Sequence, residues 1–147
     1  MARRFDEIYL TRGGIRLSNR VAIIASNGNL FDAYKVFNIA TAAAASDKEV
    51  GVFFTFEGLN LIHKQGMHTL PMPEGKESMA EGFAKANVPS IPELVDMAQE
   101  LGVKFIACQM TMDVMGLTKE DFVEGIEVGG AVTFLEFAKD AAPALTF

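Results

Sequence analysis

The 147-residue chain holds one cysteine, Cys108, so no disulfide can form within it, and dithiol exchange of the CxxC kind is excluded as well. A lone thiol fits a reducing compartment. Histidine is nearly as scarce. His63 and His68 straddle Gly66 with no HExxH or cysteine-rich spacing around them, so no metal site is expected. Arginine disappears after Arg20. Arg3, Arg4, Arg12, Arg16 and Arg20 against Asp6 and Glu7 give the first twenty residues a net charge of +3 and leave −9 for the remainder of a chain that totals −6. That sign excludes a broad face built to neutralise phosphates, and nucleic acid is not an expected partner. The phosphate-loop patterns GxGxxG and GxxxxGK[ST] are also missing.

No long hydrophobic run is present. Leu30 to Ala45 is interrupted by Asp32, Lys35 and Asn38, whereas a bilayer span needs about 20 predominantly apolar residues. The opening MARRFDEIYL follows its arginines with acids instead of an apolar h-region, so it does not read as a secretory signal. The expected location is the cytoplasm.

What the chain has is core-forming material. Half of it is apolar and 22% is charged, a balance that supports a folded protein, and 15.9 kDa makes one domain. Val21 to Ala25 is a short apolar run closed by Ser26-Asn27-Gly28-Asn29, a buried strand and a turn. Asn29 then stands as N-cap of a helix from Leu30 to Ser46. Glu49 to Phe56 is apolar on both faces, as an interior strand of a parallel sheet requires. Gly58 to Lys64 reads as a short helix. From Gly66 to Asn87 periodicity is lost, and the apolar Met67, Met72, Met79 and Phe83 predict that this excursion folds over a site or a neighbouring subunit.

Ser90 as N-cap, with Pro92 and Glu93 in the first turn, opens a helix stopped at Gly102. Val103 to Ala107 is the next strand, followed by Cys108 and a short helix beginning near Gln109. Thr118 to Asp121 gives a brief helical turn, Ile126 to Val128 a last strand, and Gly130 to Ala141 a final helix ended before Pro143. Strand and helix thus alternate about four times, the pattern of an open, mainly parallel α/β sheet. The first twenty residues stand outside it as a hairpin or an arm docking on another subunit, leaving a single domain over 21–147.

Ligands of such sheets collect at the carboxyl ends of the strands. Cys108 is expected there, facing the free amides of Gln109, Met110 and Thr111 at a helix start, which favours thiolate over thiol. The Ser26 to Asn29 turn is a second candidate anion holder. Each has a plain structural alternative: an inert core cysteine amid Met110, Met112 and Met115, and an ordinary capped turn. Glu57 and Asp113 could flank the pocket as proton handlers or be solvated carboxylates. The absence of a resolving cysteine weakens a peroxidase reading.

Four segments, SNGNLFDAYKVFNIA, GVFFTFEGLNLIHK, CQMTMDVMGLTKED and EGIEVGGAVTFL, resemble the DsrE/DsrF-like family, in the branch labelled peroxiredoxin-like or sulfurtransferase-like. The likeness spans Val21 to Ala138 and is most specific around Cys108. It implies a flavodoxin-like parallel sheet with helices on both faces, homo- or hetero-oligomeric assembly, and sulfur relay through a persulfide on Cys108, with Ser26 to Asn29 near the thiol. The implied partners are sulfur donor and acceptor proteins or small persulfides, and no cofactor is required. The rival expectation is a non-catalytic oligomeric module binding a nucleotide-like or acyl ligand at the strand ends.

Overall fold

The computed structural model describes residues 18–147. The strands are β1 (Arg20–Ala25), β2 (Glu49–Phe54), β3 (Lys104–Cys108), β4 (Glu127–Gly129) and β5 (Ala141–Thr146). They form one sheet in the order β4-β3-β2-β1-β5, and every neighbouring pair is parallel. The helices are α1 (Leu30–Ala45), α2 (Ala80–Ala86), α3 (Ile91–Glu100), α4 (Gln109–Met115) and α5 (Ala131–Ala138). The hairpin or arm expected before residue 20 lies outside the described residues, except that Arg20 itself starts β1. Among the described residues no helix is long and apolar enough to cross a membrane.

The period of two in a strand sorts the apolar side chains into two layers. Val21, Ile23, Val50, Val52, Phe54 and Phe105 face α1 and α3, where they meet Val36, Phe37 and Val95. Phe54 and Phe105 pack edge to face at 5.3 Å, with Phe37 about 6 Å from each. The opposite face carries Ala22, Phe53, Ile106 and Cys108 beneath Phe134 and Phe137 of α5. Gly51 makes room there: a Cβ would lie 2.6 Å from the Phe137 ring. After β4 the chain must return to the far side of β1, and α5 is the crossing element, touching β1, β2, β4 and β5.

Local chemistry sets the helix starts. Asn29 accepts the Asp32 amide at 3.0 Å, and Ser90 and Glu93 form a reciprocal capping box. Elsewhere the chain departs from the sequence expectation. Strand β2 ends at Phe54, two residues early, because Phe56 takes φ 48 and turns the backbone into a 3₁₀ helix over Phe56–Leu61 in place of the helix expected over 58–64. The excursion from Gly66 folds back onto the chain's own α1. Its α2 places Phe83 5.1 Å from the Tyr34 ring and 5.8 Å from Phe31, and Met67 and Leu70 join the main core.

The final helix stops at Ala138, and 141–146, expected to hold its last residue and then a proline stop, is the fifth strand. Pro143 lacks the N–H that a central ladder needs and is tolerated because β5 is an edge. The register against β1 steps from Arg20↔Ala141 to Ala22↔Ala144, a one-residue bulge around the proline.

Candidate functional site at the end of the third strand

Three loops leave the carboxyl edge beside one another. Ser26 to Asn29 follows β1, Thr55 to Gly58 follows β2, and α4 follows Cys108 at the end of β3. Since β2 lies between β1 and β3, the Thr55–Gly58 turn stands between the Ser26–Asn29 loop and Cys108. A Cβ at Gly28 would lie 2.7 Å from the Glu57 carbonyl oxygen, and one at Gly58 would lie 1.9 Å from that of Ala25, so the first two loops are jammed together. The second and third are joined by hydrogen bonds: the Thr55 and Thr111 hydroxyl oxygens are 3.3 Å apart, and the Phe56 amide donates to Thr111 Oγ1 at 3.2 Å.

Cys108 is both the last residue of β3 and the N-cap of α4, paired with Gly129 across β4. Its side chain points to the α5 face and is 5% exposed. Burial opposes ionisation of the thiol. The hydroxyl and amide of Thr111, the Thr55 hydroxyl and the Met110 amide oppose that burial and outweigh it, so the thiol titrates below its ordinary value.

Gln109 and Met110 are exposed, whereas Thr111 is buried. The Gln109 amide group donates to Asp113 at 2.7 Å, which holds Asp113 on its own helix. Ser26 gives both its amide and its hydroxyl to the Phe147 carbonyl. The Asn29 side chain is engaged on both sides by Asp32, accepting its amide and donating to its carboxylate at 2.6 Å. That carboxylate is buried, which opposes its charge, but Lys35, Asn29 and Asn27 hold it below the usual carboxylate range. The carboxylate behind the first loop is thus held charged and paired with Lys35 at 2.8 Å.

Phe56, Met110 and Val114 expose apolar side chains along the rim. Glu57 is exposed beside Phe56. His63 accepts the Gln65 and Gly66 amides on Nδ1 and so braces its own turn, and His68 ends the 3₁₀ turn Gly66–His68. No group of three or more His, Cys, Asp or Glu converges among the described residues. The sequence puts the Thr55 to Gly58 loop at this edge, but the meeting of the Thr55 and Thr111 hydroxyls was not evident from it, since the two lie far apart along the chain and carry no motif.

The model of the DsrE/DsrF/DrsH-like family matches residues 18–72 and 70–146. The chain belongs to that family. Within the range of DsrE-like relatives, it is 38% identical to the sulfur carrier protein DsrE2 of Allochromatium vinosum, over 83% of this chain and 94% of that one. It is 32% identical to the uncharacterized protein YrkE of Bacillus subtilis, over 85% and 94%. Two solved structures share the fold: MTH1491 from Methanobacterium thermoautotrophicum, a protein of unknown function, with TM-score 0.62 and 14% identity, and the ychN protein from E. coli, with TM-score 0.59 and 17% identity. Each alignment covers 87% of this chain and 98% of the other. A sulfur-carrier role is thus represented in this DsrE-like family by a close relative.

Proposed function

We propose that this protein is a cytoplasmic sulfur carrier that holds sulfane sulfur as a persulfide on Cys108. The observation that carries the reading is the place of the thiol, at the junction of β3 and α4 on the carboxyl edge of the sheet, with its titration lowered below the ordinary value. In loading, the Cys108 thiolate attacks the outer sulfur of a donor persulfide. The new bond joins Cys108 Sγ to that sulfur, the donor's S–S bond breaks, and the donor leaves as a thiolate. In discharge an acceptor thiolate attacks the same outer sulfur, and Cys108 leaves as a thiolate. No electrons are gained or lost overall, so a second cysteine is not needed.

Phe56, Met110 and Val114 form the apolar rim against which a donor or acceptor protein rests, and assembly into homo-oligomers is part of the same reading. A lone cysteine stays reduced in the cytoplasm, where such a carrier works.

The test is mass spectrometry of the intact protein after incubation with polysulfide. The wild type is expected to gain the mass of one sulfur atom, which cyanide removes, while Cys108→Ser gains none. The rival reading, a binding module at the strand ends with Cys108 as part of its wall, draws on the 5% exposure of the thiol. A Cys108 that takes no sulfur and is alkylated only in denaturant supports the module and refutes the carrier.

A further inference from the structure

Apolar side chains are held in water at the carboxyl edge of the sheet. Phe56 keeps its ring 58% exposed from a backbone at φ 48, a left-handed conformation that phenylalanine seldom adopts. Its amide donates to Thr111 Oγ1 at 3.2 Å, which ties that residue to the first turn of α4. On α4, Met110 and the 79% exposed Val114 stand four residues apart and so share one row of the helix. A ring kept in water by a strained backbone, next to such a row, marks a surface built for contact.

The charge around it has one sign. Residues 26–29, 55–58 and 108–116, the segments that meet at this edge, contain two carboxylates, Glu57 and Asp113, and no lysine or arginine. Both carboxylates are exposed, and among the described residues neither forms an ion pair. Asp113 is fixed by the Gln109 side chain at 2.7 Å, so a polar row, Gln109 and Asp113, runs beside the apolar row of Met110 and Val114. Asp32 behind the first loop is matched by Lys35 at 2.8 Å and adds no net charge. The next base along the chain, Lys119, shares a 3₁₀ turn with Glu120 and Asp121 and does not reverse the sign.

Resting on the sulfur-carrier reading, we propose that this rim docks a protein that carries lysine or arginine beside its own reacting cysteine, and that acidic partners are turned away. The long stems of lysine and arginine cover apolar surface while their heads stay in water, which suits Met110 and Val114. A cation also rests favourably over the face of an exposed ring such as Phe56, and Glu57 and Asp113 stand ready to pair with its neighbours. Opposite charge speeds encounter and like charge in a contact is costly, so the rim selects among partners through the rate of docking. The transfer step is the one already given: the Cys108 thiolate attacks the outer sulfur of the partner's persulfide, that S–S bond breaks, and the partner leaves as a thiolate.

The experiment uses the full chain and capped peptides, each with one persulfidated cysteine between leucines and flanked by lysines, serines or glutamates. Loading of Cys108 is followed by intact mass. The lysine peptide is expected to load at least about tenfold faster than the glutamate peptide at low salt, with the serine peptide between them, and the gap is expected to close as salt is raised. Glu57→Gln combined with Asp113→Asn is expected to narrow the gap severalfold. Asp47→Asn combined with Glu100→Gln removes the same charge shortly ahead of β2 and β3, at the opposite edge of the sheet, and is expected to leave most of the gap in place. A gap that both double variants narrow alike overturns the proposal. Equal rates for the three peptides also overturn it, and point to a rim covered by a second copy or by the chain's own residues 1–17. If no peptide loads, the carrier reading fails while docking is still decided: fluorescent peptides with serine in place of the cysteine are expected to keep the same order of affinity in anisotropy, and a lost order overturns the proposal.

Discussion

Replacing Gly58 by alanine tests how tightly the rim is built. The added Cβ would sit 1.9 Å from the Ala25 carbonyl oxygen and 2.6 Å from its carbon. Both are backbone atoms at the end of β1, so no side chain can rotate away. Reaching ordinary van der Waals separation requires a displacement of about 1.5 Å in a region packed at crystal-like density. The same carbonyl accepts the Thr55 amide at 3.0 Å, and that bond is lost or stretched by the movement. Overpacking of about 2 kcal/mol and a hydrogen bond of about 1 kcal/mol together give a loss of roughly 3 kcal/mol. For a chain of this length that corresponds to a fall in Tm of roughly 10 °C. Thermal and urea unfolding read the loss directly. A Gly58→Ala protein within about 0.5 kcal/mol of wild type, the range of an ordinary surface change, would refute the packing argument.

Gly82 presents the opposite case, since it lies inside α2 with nothing within 4 Å of where an added methyl group would stand, and Gly82→Ala is expected to stabilise by about 0.5–1 kcal/mol in urea unfolding. Ser90→Ala removes the capping box of α3 and is expected to cost about 1 kcal/mol by the same assay. The Cys108 thiol titrates below its ordinary value in the fold, so the unfolded chain binds more protons in the window between the lowered and the ordinary value, and stability rises with pH across it. The stability difference between wild type and Cys108→Ser is expected to grow through that window, to stay level above the ordinary thiol value, and to vanish as pH falls through the lowered one. A flat difference in urea titrations across this range would contradict it.

The parts legible in the sequence are those fixed by near neighbours. Asn29 with Asp32, and Ser90 with Glu93, announce helix starts three residues apart, and the structure uses both pairs. Val103 to Ala107 followed by Gln109 puts Cys108 at a strand-to-helix junction, which is where it stands. What escaped depends on partners far along the chain. The segment 141–146 has alanines and a proline where a strand usually shows branched residues, and only the β1 ladder makes it one. Phe56 looks like a strand residue because the strain of its φ is imposed by the loops on either side. Thr55 meets Thr111 only because β2 and β3 are neighbours, and nothing local encodes that adjacency. The same order explains why Ser26 to Asn29 reaches the shared rim but is separated from the thiol by the turn after β2.

The two margins of the sheet are both poor templates. On one side β4 is three residues long and covers only Ile106 to Cys108 of its neighbour; on the other, β5 carries a proline and a bulge. Among the described strands, neither presents the long, flat ladder on which a further strand from another molecule could continue the pleat. Val132 and Leu135 of α5 face outward instead, so the described part of the molecule offers another copy an apolar helical flank in place of an open edge.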